Sequence, residues 1–99
     1  MIIAELTITP LGEGTSVSKY VKAALKAMQA SGLKMELTPM STVVEASTLD
    51  DIFNVAKMGE KAMIEMGAKR IIIDIKIDHR LDKEATMKSK KRAVLEEVL

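Results

Sequence analysis

Ile71-Ile72-Ile73-Asp74-Ile75-Lys76-Ile77-Asp78 is the stretch that decides the fold. Successive side chains of an extended strand point to opposite faces. Ile71, Ile73, Ile75 and Ile77 therefore form one unbroken apolar row, and Ile72, Asp74, Lys76 and Asp78 form a mixed one. The opening residues repeat the pattern, with Ile2, Ala4, Leu6 and Ile8 on one side and Ile3, Glu5, Thr7 and Thr9 on the other. Two such strands describe a sheet with one side turned to a core. The other side is too apolar for plain solvent and too polar for an interior, and it is the first place to look for function.

Between these strands the chain alternates strand and helix signals. Residues 2–9 predict the first strand, and Pro10-Leu11-Gly12-Glu13-Gly14 a turn, where glycine tolerates positive φ. Thr15 or Ser16 can cap a helix whose stripe is Val17, Val21, Ala24, Leu25 and Met28, with Gly32 as its stop. Met35 and Leu37 alternate with Lys34, Glu36 and Thr38 as a short second strand. After Pro39-Met40-Ser41, residues 42–46 predict a third strand, the hairpin partner of the second. Ser47 or Thr48 caps a second helix, with Asp50 and Asp51 where its dipole favours negative charge. Its expected buried stripe is Leu49, Ile52, Phe53, Ala56, Met63 and Met66, and Gly67 ends it. Strand 70–78 follows, then a loop, then a last helix over about 86–98 with Met87, Val94, Leu95 and Val98 on one side. The order is β-α-β-β-α-β plus a C-terminal helix. It predicts an α+β, ferredoxin-like sandwich: a four-stranded antiparallel sheet with both main helices on one face and its first and third strands central. No linker or low-complexity tract divides residues 1–99, so one domain is expected.

Composition narrows the function classes. Fifteen basic and 14 acidic residues leave a net charge of +1, too even for general attraction to nucleic acid or an anionic membrane. The chain has no cysteine, which removes disulfide and thiolate chemistry and fits a reducing cytoplasm. No apolar run approaches the roughly 20 residues that span a bilayer, and the first residues enter a strand rather than a leader, so a soluble cytoplasmic protein is expected. Phe53 and Tyr20 are the only aromatics, while eight methionines supply adaptable apolar volume.

The face without helices carries Ile3, Ile72 and either Val43 or Val44. Covering an aliphatic side chain is worth roughly 1.5–3 kcal/mol, so a few of them predict self-association through the sheet or its edges. Glu5, Thr7, Thr9, Asp74, Lys76 and Glu45 share this face. A carboxylate there must pair, for instance with Lys76, or meet a ligand.

Catalytic signals are weak. His79 is the single histidine and sits in a loop beside Arg80. No nucleophile-histidine-carboxylate set is spaced for catalysis, and carboxylates with one histidine make no metal motif, so neither an enzyme nor a metal or cofactor site is expected. Gly12-Glu13-Gly14-Thr15-Ser16 resembles a phosphate-binding turn but lacks both the third glycine and the Lys-Ser/Thr pair. Lys88-Ser89-Lys90-Lys91-Arg92 is a basic run, yet its helix continues to Glu96-Glu97 and reads as a solvated face. RNA-binding sheets of this topology stack bases on strand aromatics, which are missing here.

Met1-Ile2-Ile3-Ala4-Glu5-Leu6, Pro10-Leu11-Gly12 and Thr15-Ser16-Val17-Ser18-Lys19-Tyr20-Val21 open a series of short matches. The series continues through Ser31-Gly32-Leu33, Pro39 to Glu45, Glu65-Met66-Gly67-Ala68 and Lys76-Ile77-Asp78-His79-Arg80. In this order and spacing the chain resembles the small thiamine-binding protein family, over essentially its whole length. One departure is Ala46, where the family usually has glycine after the third-strand glutamate. The resemblance implies a ferredoxin-like subunit that pairs into dimers and dimers of dimers. It also implies binding, not turnover, of thiamine or a hydroxymethylpyrimidine relative. For such a ligand, Glu5 or Glu45 would accept from the pyrimidine amine and offset the thiazolium charge. Thr7, Thr9, Ser41 and Thr42 would supply hydroxyls, with Thr15, Ser16, Ser18 and Tyr20 at the first helix start and Tyr20 the one stacking candidate. Lys76 and Arg80 would hold an anion or a phosphorylated form. An alternative is a regulatory or scaffolding module that takes another effector, an anion, between subunits at Gly14-Thr15-Ser16 and Lys76 or Arg80.

Overall fold

The computed structural model describes residues 1–14 and 17–98, the last two of these as helix backbone alone. Strand β1 (Ile2–Pro10) is followed by α1 (Ser18–Gln29), β2 (Lys34–Leu37), β3 (Thr42–Ala46), α2 (Leu49–Glu65), β4 (Ile71–Asp78) and α3 (Met87–Val98). The sheet order is β2-β3-β1-β4 with every neighbouring pair antiparallel. This is the expected ferredoxin-like arrangement with an added C-terminal helix. The expected cap residues Thr15 and Ser16 lie outside the described residues, as does the Val98 side chain; α1 starts from Val17 in the N-cap position. At α2 the expected cap is in place, with the Thr48 hydroxyl accepting from the Asp51 N–H at 3.1 Å.

The core lies between the sheet and α1 and α2. Ile2, Ala4 and Leu6 of β1 and Val44 and Ala46 of β3 meet Met28 of α1 and Ile52, Val55 and Ala56 of α2. Parity settles the valine alternative: Val44 is buried and Val43 stands on the open face. A second cluster joins Tyr20, Ala24 and Met63, with Ile8, Val21, Ala68 and Ile71 packed against it. Gly59 permits the close approach of α2 to the rest. A Cβ there would stand 2.6 Å from Ile8 Cδ1 and 2.9 Å from Met28 Sδ.

The expected stripe of α2 is partly displaced. Ile52, Ala56 and Met63 are buried and are joined by Val55 and Gly59, but Leu49, Phe53 and Met66 are exposed. Phe53 leans over the outer side of β4, where no further strand completes the cover, and lines a groove with Ile73 and Ile75. For the same reason the apolar row of β4 is only half-buried.

Pairing along β1 is unequal. Ile3 to Pro10 all have partners on β4, eight residues, whereas only Ile2 to Leu6 have partners on β3, five residues. From Thr7 onward the β3 side of β1 is an open edge, with backbone groups free of a ladder. α3 lies toward the other end of the same sheet, where Ala85 and Met87 are buried.

Candidate functional site

Cross-strand register orders the open face in rows. Glu45, Ile3 and Asp78 form one row, Val43, Glu5 and Lys76 the next, Thr7 and Asp74 a third, and Thr9 and Ile72 a fourth. The start of α3 occupies the first of these. The Glu45 carboxylate, buried on β3, accepts from the Met87 N–H at 2.6 Å. An anion at a helix start meets unpaired N–H groups and the positive end of the dipole. Thr86 and Ser89 complete the cap reciprocally: Ser89 N–H donates to Thr86 Oγ1 at 3.0 Å and Thr86 N–H to Ser89 Oγ at 2.9 Å. Lys91 reaches both oxygens of Glu36 at 3.1 Å, Lys90 pairs with Asp78, and the N-terminal amine pairs with Glu84. Lys90 holds the Asp78 carboxyl below the ordinary carboxylate range, by its hydrogen bond and then by its charge. Glu45 is thus occupied in anchoring α3 and does not face an open cavity.

The uncovered rows contain a different arrangement. Where β1 loses β3, a pocket of about 240 Å³ opens between the β1 edge, the turn 38–41 and α1. Its rim carries Thr7, Thr9, Thr38, Ser41 and Thr42, and its floor is apolar, with Leu6, Leu25, Met28 and Met63. Thr38-Pro39-Met40-Ser41 is a turn organised by one hydroxyl. Thr38 Oγ1 accepts from the N–H of Met40 at 3.3 Å and of Ser41 at 3.0 Å, and donates to the Ser41 carbonyl at 3.0 Å. Two carboxylates stand just outside the lining. Ser41 Oγ donates to Glu5 Oε2 at 3.0 Å, and Thr7 Oγ1 donates to Asp74 Oδ2 at 3.4 Å.

The sequence-derived site residues therefore separate. Thr7, Thr9, Ser41 and Thr42 meet at the pocket, with Glu5 one hydrogen bond away. Lys76 is exposed on the open face, opposite Glu5 and between Asp74 and Asp78 along β4. Ser18 is exposed at the first turn of α1. Tyr20 is drawn into the core, and its hydroxyl donates to Glu13 Oε2 at 3.0 Å. Burial first and then the Glu13 carboxylate push the phenol above its usual range, so the ring ties the β1–α1 turn to the helix layer instead of offering a free stacking face. Arg80 forks onto Asp82 at 2.6 and 3.0 Å, which lowers the Asp82 carboxyl and raises the guanidinium. Because β1 and β4 are antiparallel, Arg80 lies beyond the Ile3 end of the sheet and Gly14 beyond the Pro10 end. The anion site that would combine them cannot close within one chain. Thr38 and Glu13 escape sequence reasoning. Threonine before proline is a turn signal for Thr38, and Glu13 carries no local sign of its partner.

Among the described residues no cluster of three or more potential metal-ligating side chains is present, and no helix is long and apolar enough to cross a membrane. Residues 4–95 match the profile of the thiamine-binding protein family. The chain belongs to that family. Similar family sequences include a protein of Methanothermobacter thermautotrophicus, 36% identical over 99% of this chain and 100% of its own. YqgV of Bacillus subtilis is 41% identical over 95% of this chain and 94% of its own. A crystal structure from Methanocaldococcus jannaschii superposes with a TM-score of 0.87 at 40% identity, covering 96% of each chain. A Thermotoga maritima structure at 20% identity has a TM-score of 0.80 and shares the fold.

The anchorage of α3 has a pH dependence of definite sign. The folded Asp78 carboxyl is held below its unfolded value, so its contribution is complete above the ordinary carboxylate range, about pH 4, and is lost as pH falls through the lowered value. Amide exchange protection in α3 is expected to hold from neutral pH to about 4.5 and to fall below that. Asp78→Asn is expected to lower protection already at neutral pH and to lose less on acidification; wild-type behaviour in this variant would contradict the tether.

Proposed function

We propose that the protein is an oligomeric small-molecule-binding protein that holds thiamine, or a hydroxymethylpyrimidine relative, without turning it over. The observation that supports this most directly is the pocket beside the open edge of β1. An aminopyrimidine offers donors and acceptors around one ring. The unpaired β1 backbone and the Thr7, Thr9, Ser41 and Thr42 hydroxyls offer the complementary set. The place of an aromatic platform falls to methionine: Met28 and Met63 are buried at the floor, and Met40, 84% exposed, is free to pack over a ring from the rim. Thioethers pack well against aromatic faces. Hydroxyl and thioether side chains suit retention of a ring, which supports binding without reaction.

Isothermal titration with thiamine and with hydroxymethylpyrimidine is expected to give a dissociation constant well below millimolar for at least one. Thr7→Val with Ser41→Ala is expected to weaken it about tenfold or more, for hydrogen bonds worth roughly 1 kcal/mol each. Millimolar or absent binding to the wild type would overturn the proposal.

Self-association draws support from the surfaces that α3 leaves uncovered. Ile72 is 43% exposed on the open face, and the outer edge of β4 carries the groove under Phe53. A second copy across these surfaces would remove both from water, giving dimers and dimers of dimers. Sedimentation at micromolar concentration is expected to show a multimer that Ile72→Asp weakens; a monomeric wild type would contradict it.

A further inference from the structure

β4 is the long free edge of the sheet. In the order β2-β3-β1-β4 both end strands lack an outer partner, but β2 has four residues and β4 has eight. An uncovered edge presents backbone N–H and C=O groups ready to pair with another strand, and proteins blunt it with proline, a bulge or a short strand. β4 uses none of these. It contains no proline, and its ladder to β1 runs unbroken from Ile71 to Asp78. Its core-side row of Ile71, Ile73, Ile75 and Ile77 stays half-buried, and Phe53, 45% exposed, stands with Ile73 and Ile75 in the groove along this edge. The apolar layer is unfinished where β4 ends it.

The charges of β4 select the strand that completes it. Asp74 and Lys76 are exposed on the open face, and among the described residues Lys76 makes no ion pair. Side chains that oppose each other in an antiparallel pair share a face, so a twofold axis relating two copies of β4 passes through a residue position. An axis at Asp74 sets that carboxylate against its own copy. An axis at Lys76 sets ammonium against ammonium and Asp74 against Asp78. An axis at Ile73 sets Lys76 against Arg70, and axes farther out pair only the strand ends. An axis at Ile75 pairs Ile72 through Asp78 and opposes unlike charges twice: Asp74 meets the partner subunit's Lys76, and Lys76 meets the partner subunit's Asp74. Unlike charges directly opposite stabilise a strand pair and like charges destabilise it. Glu5 already opposes Lys76 across the β1 ladder, so signs alternate along the row from Glu5 through Lys76 to the partner subunit's Asp74. On the core side the same register sets Ile73 against the partner subunit's Ile77, with Ile75 on the axis.

We propose that β4 pairs antiparallel with β4 of a second copy about a twofold axis at Ile75, joining two four-stranded sheets edge to edge. The interface is isologous, each copy offering the same surface to the other. Asp74 and Lys76 fix its register, and the isoleucine row with Phe53 supplies the apolar area it covers. The inference rests on the self-association proposed above, and it adds the surface, the partner strand and the register. Edge pairing leaves the open face, and the pocket beside β1, uncovered.

The test is sedimentation equilibrium on the wild type and on two single variants, Asp74→Lys and Lys76→Asp, alone and mixed in equal amounts. Both positions are exposed, and circular dichroism checks that each variant is folded. In either variant alone both facing pairs become like-charged, and association across this edge is expected to weaken about tenfold or more, most at low salt. In the mixture the two lysines of one variant face the two aspartates of the other, and association is expected to return as a one-to-one heterodimer. Mixing cannot repair a merely structural defect. Association unchanged in both single variants would overturn edge pairing through β4 while leaving self-association through another surface. Weakened variants that mixing does not restore would overturn the register at Ile75. A monomeric wild type would remove the self-association proposal itself, and this inference with it.

Discussion

The arrangement of the site depends on unequal pairing along β1. An eight-residue ladder to β4 holds the strand straight through Pro10, while the ladder to β3 ends at Leu6 because Pro39 and the Thr38 turn take the chain away. The four β1 residues beyond Leu6 are therefore fixed on one side and open on the other. Backbone polar groups at such an edge must find water, a strand or a ligand. The α1–α2 layer supplies an apolar wall beneath, and the hairpin turn supplies hydroxyls above. The pocket is the volume left by a hairpin shorter than the strand it pairs with.

α3 divides the rest of the open face. Without it, Glu45 and Ile3 would lie bare in one row with Lys34 and Asp78, with Glu36 in the next row. The start of α3 places N–H groups against Glu45, and Lys90 and Lys91 against Asp78 and Glu36. The exposed ion pairs are individually weak. Glu45 differs because it is buried, so losing its partner would leave an uncompensated carboxylate. This anchorage leaves Glu5 and Asp74 as the carboxylates nearest the pocket.

The element order and the central position of β1 are legible in the sequence because period-two alternation in 2–9 and 71–78 survives every tertiary influence. The two-faced character of β1 and β4 is legible for the same reason. Burial along α2 is not: Phe53 and Leu49 fit the helical stripe, but the stripe faces a sheet that ends at β4, and where a sheet ends is a tertiary fact. Of the site, Thr7, Thr9, Ser41 and Thr42 are legible by strand parity and turn chemistry. The roles of Glu45 and Tyr20 are not. Glu45 has the parity of an open-face residue, yet its partner lies 42 positions away on a helix start. Tyr20 shares the exposed-looking start of α1, but its ring completes a cluster with Met63, from the other helix.

The central claim is that the edge of β1 beyond Leu6, and not the surface of α3 or the loop around Arg80, receives the ligand. Amide chemical-shift mapping on adding thiamine tests it most directly. Shifts are expected to concentrate at Thr7, Ile8, Thr9, Met40, Ser41 and Thr42, with residues 87–96 and 79–84 unmoved. Shifts concentrated on α3 or on the loop around Arg80, with the β1 edge silent, would contradict the account.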